Sequence, residues 1–136
     1  MRLLGLYRGA KSALKKSAPD SARHFAISLR ELISHTLHLL SPDDEFSSWN
    51  RDSSLIHKGK PTRKGRLLYI CREVTKGTYT KFVNADVDVT VKFINLFHEG
   101  AHSLESSFTE EQRRAMLRRA EGLLSYLIEI GFRDKS

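Results

Sequence analysis

The chain is poor in cysteine, has no long apolar run, and has no acidic residue in its first nineteen positions. Each shortage closes off a class of protein. One cysteine, Cys71, in 136 residues leaves neither an intramolecular disulfide nor a Cys-rich zinc module. No apolar stretch approaches the ~20 residues that a membrane-crossing helix needs. Internal repeats and low-complexity segments are absent as well. The opening stretch Leu3-Leu4-Gly5-Leu6-Tyr7 is shorter than the roughly 7–15 residues of a signal-peptide apolar region, and Arg8 interrupts it. What is present is ordinary globular composition, 40% hydrophobic and 29% charged, so neither disorder nor a fibrous chain is the default. These features predict one basic domain, soluble and cytoplasmic, without a membrane partner.

The net charge is +7, and it is unevenly placed. Residues 1–80 hold 15 Lys and Arg against 7 Asp and Glu, whereas residues 81–136 hold 8 against 9. Arg2, Arg8, Lys11, Lys15 and Lys16 form one cluster. Arg51, Lys58, Lys60, Arg63, Lys64, Arg66 and Arg72 form the other, against Asp52 alone. Such density attracts polyanions through counterion release, without reading sequence. It equally keeps a small protein solvated.

Four segments read as helices. The first spans about Pro19 to Leu40, with Ser17 and Asp20 resembling a capping box. Phe25, Leu29, Leu32, Thr36 and Leu39 form its apolar stripe, and Ser41-Pro42 ends it. Residues 42–60 read as a polar loop in which Trp49 packs back on the domain. A shorter helix is predicted from Thr62 to Val74, with a buried, inert thiol at Cys71. Tyr79 to His98 fits two patterns. Val87, Val89, Val91 and Phe93 alternate as in a strand, while Phe82, Asp86, Val89, Phe93, Leu96 and Phe97 fit a helix. Length favours the helix. The fourth helix opens on a Thr109-x-x-Gln112 capping box. It buries Met116, Ala120, Leu123, Leu124, Leu127 and Ile130, and stops at Gly131. The sum is an all-α bundle.

Two patterns could carry chemistry. Arg30 with His35, and Arg51 with His57, fit an Arg followed by four to six residues and then a His. A His can take the proton of an RNA 2′-hydroxyl while an Arg holds the growing phosphate charge. A shuffled chain of this composition would show about 1.7 such pairs, so the two found are not informative by themselves. His98-Glu99-Gly100-Ala101-His102 is rarer, at about 0.02 expected. Two His one helical turn apart could hold zinc with Glu99 as base and Glu121 as a third ligand. The pattern falls where the third helix is expected to end, whereas a zinc site wants its His on a rigid helix. No metal and no cofactor is therefore expected. Arg30 and Glu31 lie off the Leu29/Leu32 stripe, facing either solvent or a groove.

Ser28-Leu-Arg-Glu-Leu-Ile, Ser41-Pro-Asp-Asp-Glu, Pro61-Thr-Arg-Lys, Gly100-Ala-His102 and Phe108-Thr-Glu-Glu-Gln112 together resemble a small stand-alone branch of the HEPN superfamily, of the kind met on plasmids and beside defence nucleases. The resemblance covers about residues 20–130. It implies a helical domain over residues 20–136, preceded by a basic extension over 1–19. It also implies a four- to five-helix bundle that forms a homodimer. Active members cut RNA without metal at a composite Arg/His site on the dimer interface. They serve as toxins or defence effectors, with an antitoxin or defence protein as partner. In the family an Asn-x-Gly-Thr-His stretch ends the third helix; here His98 and Ala101 replace the Asn and the Thr. The resemblance thus points to Arg30 with His102, then His98 and His35, with Glu31 as the polar neighbour of Arg30. Arg51, Lys58, Lys60, Arg63, Lys64 and Arg66 would contact RNA. A non-catalytic RNA- or protein-binding module is the alternative, and a small zinc hydrolase on His98, Glu99 and His102 a third.

Overall fold

The computed structural model describes the backbone of residues 8, 19–102 and 108–133, and the side chains of Arg8, 25–98 and 108–132. The expected Ser17 cap and most of the basic extension lie outside the described residues. Among the described residues the order is α1 (Pro19–Leu40), α2 (Asp43–Trp49), a 3₁₀ turn (Ser53–Leu55), β1 (Ile56–His57), β2 (Lys60–Pro61), α3 (Arg63–Ile70), α4 (Tyr79–His102) and α5 (Glu110–Arg133). The protein is all-α apart from that two-stranded hairpin. No helix is long and apolar enough to cross a membrane among the described residues.

The chain divides into two compact units, residues 1–35 with 93–125 and residues 36–92 with 126–136. In the first, Phe25, Leu29, Leu32 and Ile33 of α1 are buried, as are Ile94 and Phe97 of α4 and Met116, Leu117, Ala120, Leu123 and Leu124 of α5. Phe25 meets Phe97 at 6.5 Å between ring centroids, and Phe97 stands edge-on to Phe93. The guanidinium of Arg119 lies 5.3 Å from the Phe93 ring. Thr109 and Gln112 form the expected reciprocal cap, each backbone N–H donating to the other's side chain.

In the second unit the core gathers around Phe46, with Leu55 and Tyr69. The polar stretch 42–60 is structured rather than a simple loop. Pro42 precedes α2, whose first turn is acidic and whose one buried side chain is Phe46. Asp52 caps the 3₁₀ turn by accepting from Ser54, which holds its carboxyl below the usual range. The two strands pair Ile56 with Pro61 and His57 with Lys60. Lys58 and Gly59 between them both have positive φ, 51° and 78°. This is the turn that a two-residue hairpin favours. Thr62 then starts α3 by accepting from the Gly65 N–H.

Three expected registers shift. On α1 the stripe passes through Ile33, Leu37 and Leu40 rather than Leu39, which is 50% exposed. On α4 the buried face is Val83, Val87, Thr90, Ile94 and Phe97, one residue on from the expected stripe, and Phe82 and Val89 face solvent. On α5 Gly131 does not stop the helix, which runs to Arg133. A Cβ at Gly131 would come within 2.9 Å of the Leu40 side chain, so this glycine serves close packing.

Cys71, at the end of α3, is buried as expected. Burial pushes its thiol up to about 11, with Asp86 adding to the rise and a hydrogen bond from Tyr126 opposing it. The Tyr126 phenol is likewise pushed up, first by burial. A thiol raised by about two units presents roughly a hundredfold less thiolate near pH 8. Iodoacetamide should therefore label the folded protein at least ~100-fold more slowly than the urea-unfolded chain. Equal rates would show that this end of α3 opens readily.

Candidate functional site

Arg30, Glu31 and His35 are all half-buried on α1. The helix is unbroken from Pro19 to Leu40, so Arg30 and His35 point about 140° apart around its axis. His98, half-buried on α4, follows Phe97, the residue that packs on Phe25 of α1. These four positions belong to the same compact unit. The helix does not end at His98 but continues to His102. The two histidines are thus one turn apart on one helix, about 6 Å along the axis. The side chains of Glu99 and His102 lie outside the described residues. Among the described residues no group of three or more His, Cys, Asp or Glu could hold a metal ion. Glu121, on α5, is half-buried and engaged with a neighbour.

The second basic cluster sits in the other unit. Arg51 is exposed, its guanidinium donating to the carbonyls of Ser48 and Asn50. Lys58 occupies the tip of the hairpin and Lys60 the start of β2, both exposed. Arg63 and Lys64 form the exposed first turn of α3, which carries no acid. Two cations at the positive end of a helix reinforce its field for an anion. Lys64 pairs with Asp88 at 3.2 Å, both side chains about half in solvent, a contact that solvent screens.

Arg66 departs from the expected set. It is only 4% exposed. Its guanidinium donates to the Ser41 carbonyl and to the Asp43 carboxylate, the latter at 2.7 Å. The same contact holds the Asp43 carboxyl below its ordinary value. On α3 position 66 turns inward with Leu67 and Ile70, so this cation supports the fold and cannot reach RNA.

An aromatic cluster went unnoticed in the sequence. Trp49 stands edge-on to Tyr69 at 5.4 Å and against Phe46 at 5.8 Å, leaving 36% of its surface in solvent. The Arg72 guanidinium lies 3.9 Å from the Tyr69 ring centroid and also donates to the Tyr69 carbonyl. Glu45 accepts from the Tyr69 hydroxyl at 3.2 Å. Asp44, Glu45, Ser48, Trp49, Tyr69 and Arg72 line an open cavity of about 390 Å³. The lone tryptophan in a polar, acidic stretch was the available signal. Tyr69 and Arg72 come to it only through the packing of α3 on α2.

A family model described as Predicted pPIWI-associating nuclease matches residues 2–127. No curated protein and no solved structure matches the chain.

Proposed function

We propose, because the chain belongs to the predicted pPIWI-associating nuclease family, that it is a metal-independent endoribonuclease of the HEPN type. It would act as a toxin or defence component with a pPIWI protein as partner. The observation that carries this reading is the shared unit of Arg30, Glu31, His35 and His98, in which α1 touches α4 at Phe25 and Phe97. His102 follows one turn along the same helix.

The chemistry is an attack by the RNA 2′-hydroxyl on its own phosphate. One histidine takes the hydroxyl proton as the new P–O bond forms. Arg30 holds the charge that grows on the phosphate oxygens. A second histidine protonates the departing 5′-oxygen, leaving a 2′,3′-cyclic phosphate. His102 and His98 are the pair we assign, with Glu31 orienting Arg30 and His35 beside them. A two-fold homodimer would let Arg30 of one chain meet a histidine of the other. Arg51, Lys58, Lys60, Arg63 and Lys64 would hold the RNA backbone.

The test is labelled RNA incubated with purified protein in excess EDTA. The wild type should cut. Arg30→Ala and His102→Ala should each lose at least ~100-fold in rate while keeping their helical circular-dichroism spectrum. Cleavage that survives both changes would remove the site assignment, and cleavage that needs added metal would remove the mechanism. Salt-sensitive binding with no cleavage would instead favour a non-catalytic RNA-binding module. His98 and Ala101, which depart from the motif of active relatives, are the observation behind that second reading.

A further inference from the structure

The cavity between α2 and α3 has a composition that RNA backbone contact does not explain. Asp44, Glu45, Ser48 and Trp49 of α2 all line it. The same helix buries Phe46. Asp44 is exposed and makes no hydrogen bond or ion pair among the described residues. Glu45 is held by the Tyr69 hydroxyl, and Arg72 is held over the Tyr69 ring and by the Tyr69 carbonyl. Arg51 lies two residues beyond Trp49, tethered to the Ser48 carbonyl. The site thus joins an accessible indole, a carboxylate with no partner among the described residues and the oriented guanidinium of Arg72.

We infer that this cavity is a pocket for an unpaired guanine base, with Trp49 as the stacking platform and Asp44 reading the base edge. Aromatic side chains take bases from single strands by stacking, at about 1–3 kcal/mol per base. A carboxylate only accepts, so it selects a base edge rich in donors. Guanine offers N1–H and the N2 amino group side by side, a pair that one carboxylate takes in two parallel hydrogen bonds. Uracil offers a single N–H between two carbonyl oxygens, which repel the carboxylate. Arg72, in the cavity wall, suits the phosphate of the same nucleotide. A basic side chain from a protein partner is the competing occupant. Arg72 argues against it, because a guanidinium already covers the Tyr69 ring.

This inference rests on the reading of the chain as an RNA-acting protein, but its test does not depend on cleavage. Trp49 is the only tryptophan, so intrinsic indole fluorescence reports this cavity directly. GMP and UMP, which contain no scissile internucleotide bond, are titrated against the wild type and Asp44→Asn. GMP should quench the fluorescence with an affinity at least about tenfold above that of UMP. Asp44→Asn should erase that gap, weakening GMP and relieving the repulsion of UMP. Asp44 is exposed and has no partner among the described residues, so this variant should keep the wild-type melting temperature. Equal response to GMP and UMP, no response to either, or a response only to an arginine-containing peptide would each overturn the pocket, the last in favour of a protein partner. A protein that binds GMP but leaves RNA intact would sink the proposed cleavage alone. One that cuts RNA with silent fluorescence would sink the pocket alone.

Discussion

Phe46→Ala should destabilise the protein by about 3–5 kcal/mol, the range for truncating a buried aromatic. At this chain length that corresponds to a fall of roughly 10–20 °C in melting temperature. Phe46 is fully buried, and it is the one buried side chain of α2. It packs on Trp49 and Tyr69. Its ring also covers Gly65, where an added Cβ would lie 3.0 Å from the Phe46 Cζ and 3.1 Å from the Leu55 carbonyl oxygen. Losing the ring opens a cavity that rigid neighbours cannot close, and a seven-residue helix has no intrinsic stability with which to compensate. Phe46→Leu keeps most of the volume and should lose less than about 1.5 kcal/mol. Thermal melts of the two variants decide the matter. A fall of only a few degrees for Phe46→Ala would show that α2 is not anchored through this ring.

Arg66→Met should lower stability by about 2–3 kcal/mol, the range for hydrogen bonds to a charged group. Methionine keeps much of the buried stem and removes the guanidinium. The fully buried Ser41 then loses the donor to its carbonyl, and Asp43 loses its partner. The Asp43 carboxylate is 62% exposed, so water takes over much of its charge, and the unpaired carbonyl carries most of the loss. The pH dependence has a definite sign. The folded state holds Asp43 below its ordinary value of 3.8, so this pair stabilises the fold above that pH and ceases to do so as acid protonates the carboxylate. The gap between wild type and Arg66→Met in urea melts should therefore be constant near neutrality and narrow below about pH 4. A gap that widened in acid would mean that the ion pair is not what Arg66 contributes.

The candidate site was legible in the sequence only as residue types. Arg30, Glu31, His35 and His98 stood out by residue type, and the fold brings them into one unit. Their partners could not be read, because which helices touch depends on side chains far apart in the chain. Arg66 shows the converse failure. Within a run of cations it counted as surface charge, yet two helical positions separate it from the exposed Lys64 in fate. Position 66 faces inward on α3, where the Ser41 carbonyl and Asp43 wait for a donor. The Trp49 cavity was invisible for a similar reason, since Tyr69 and Arg72 reach it from another helix.

Local chemistry settled the element types. Thr109 and Gln112 cap α5 reciprocally, and Pro19 opens α1. Those signals act over three or four residues, so any chain carrying them would show them. The buried face of α4 was a different matter. Valines at 83, 87, 89 and 91 surround the helix, and periodicity placed the stripe one residue early, though it included the buried Phe97. Tertiary packing chose Val83, Val87, Thr90, Ile94 and Phe97, which are buried while Phe82 and Val89 face solvent. Gly131 could have ended α5 or lain within it, and the Leu40 side chain pressed against it decided for close packing. Segment α2 is the sharpest case. Seven mostly polar residues have no reason to be helical until Phe46 finds Leu55, Gly65 and Tyr69. The burial that stabilises the helix comes from residues that only the fold brings to it.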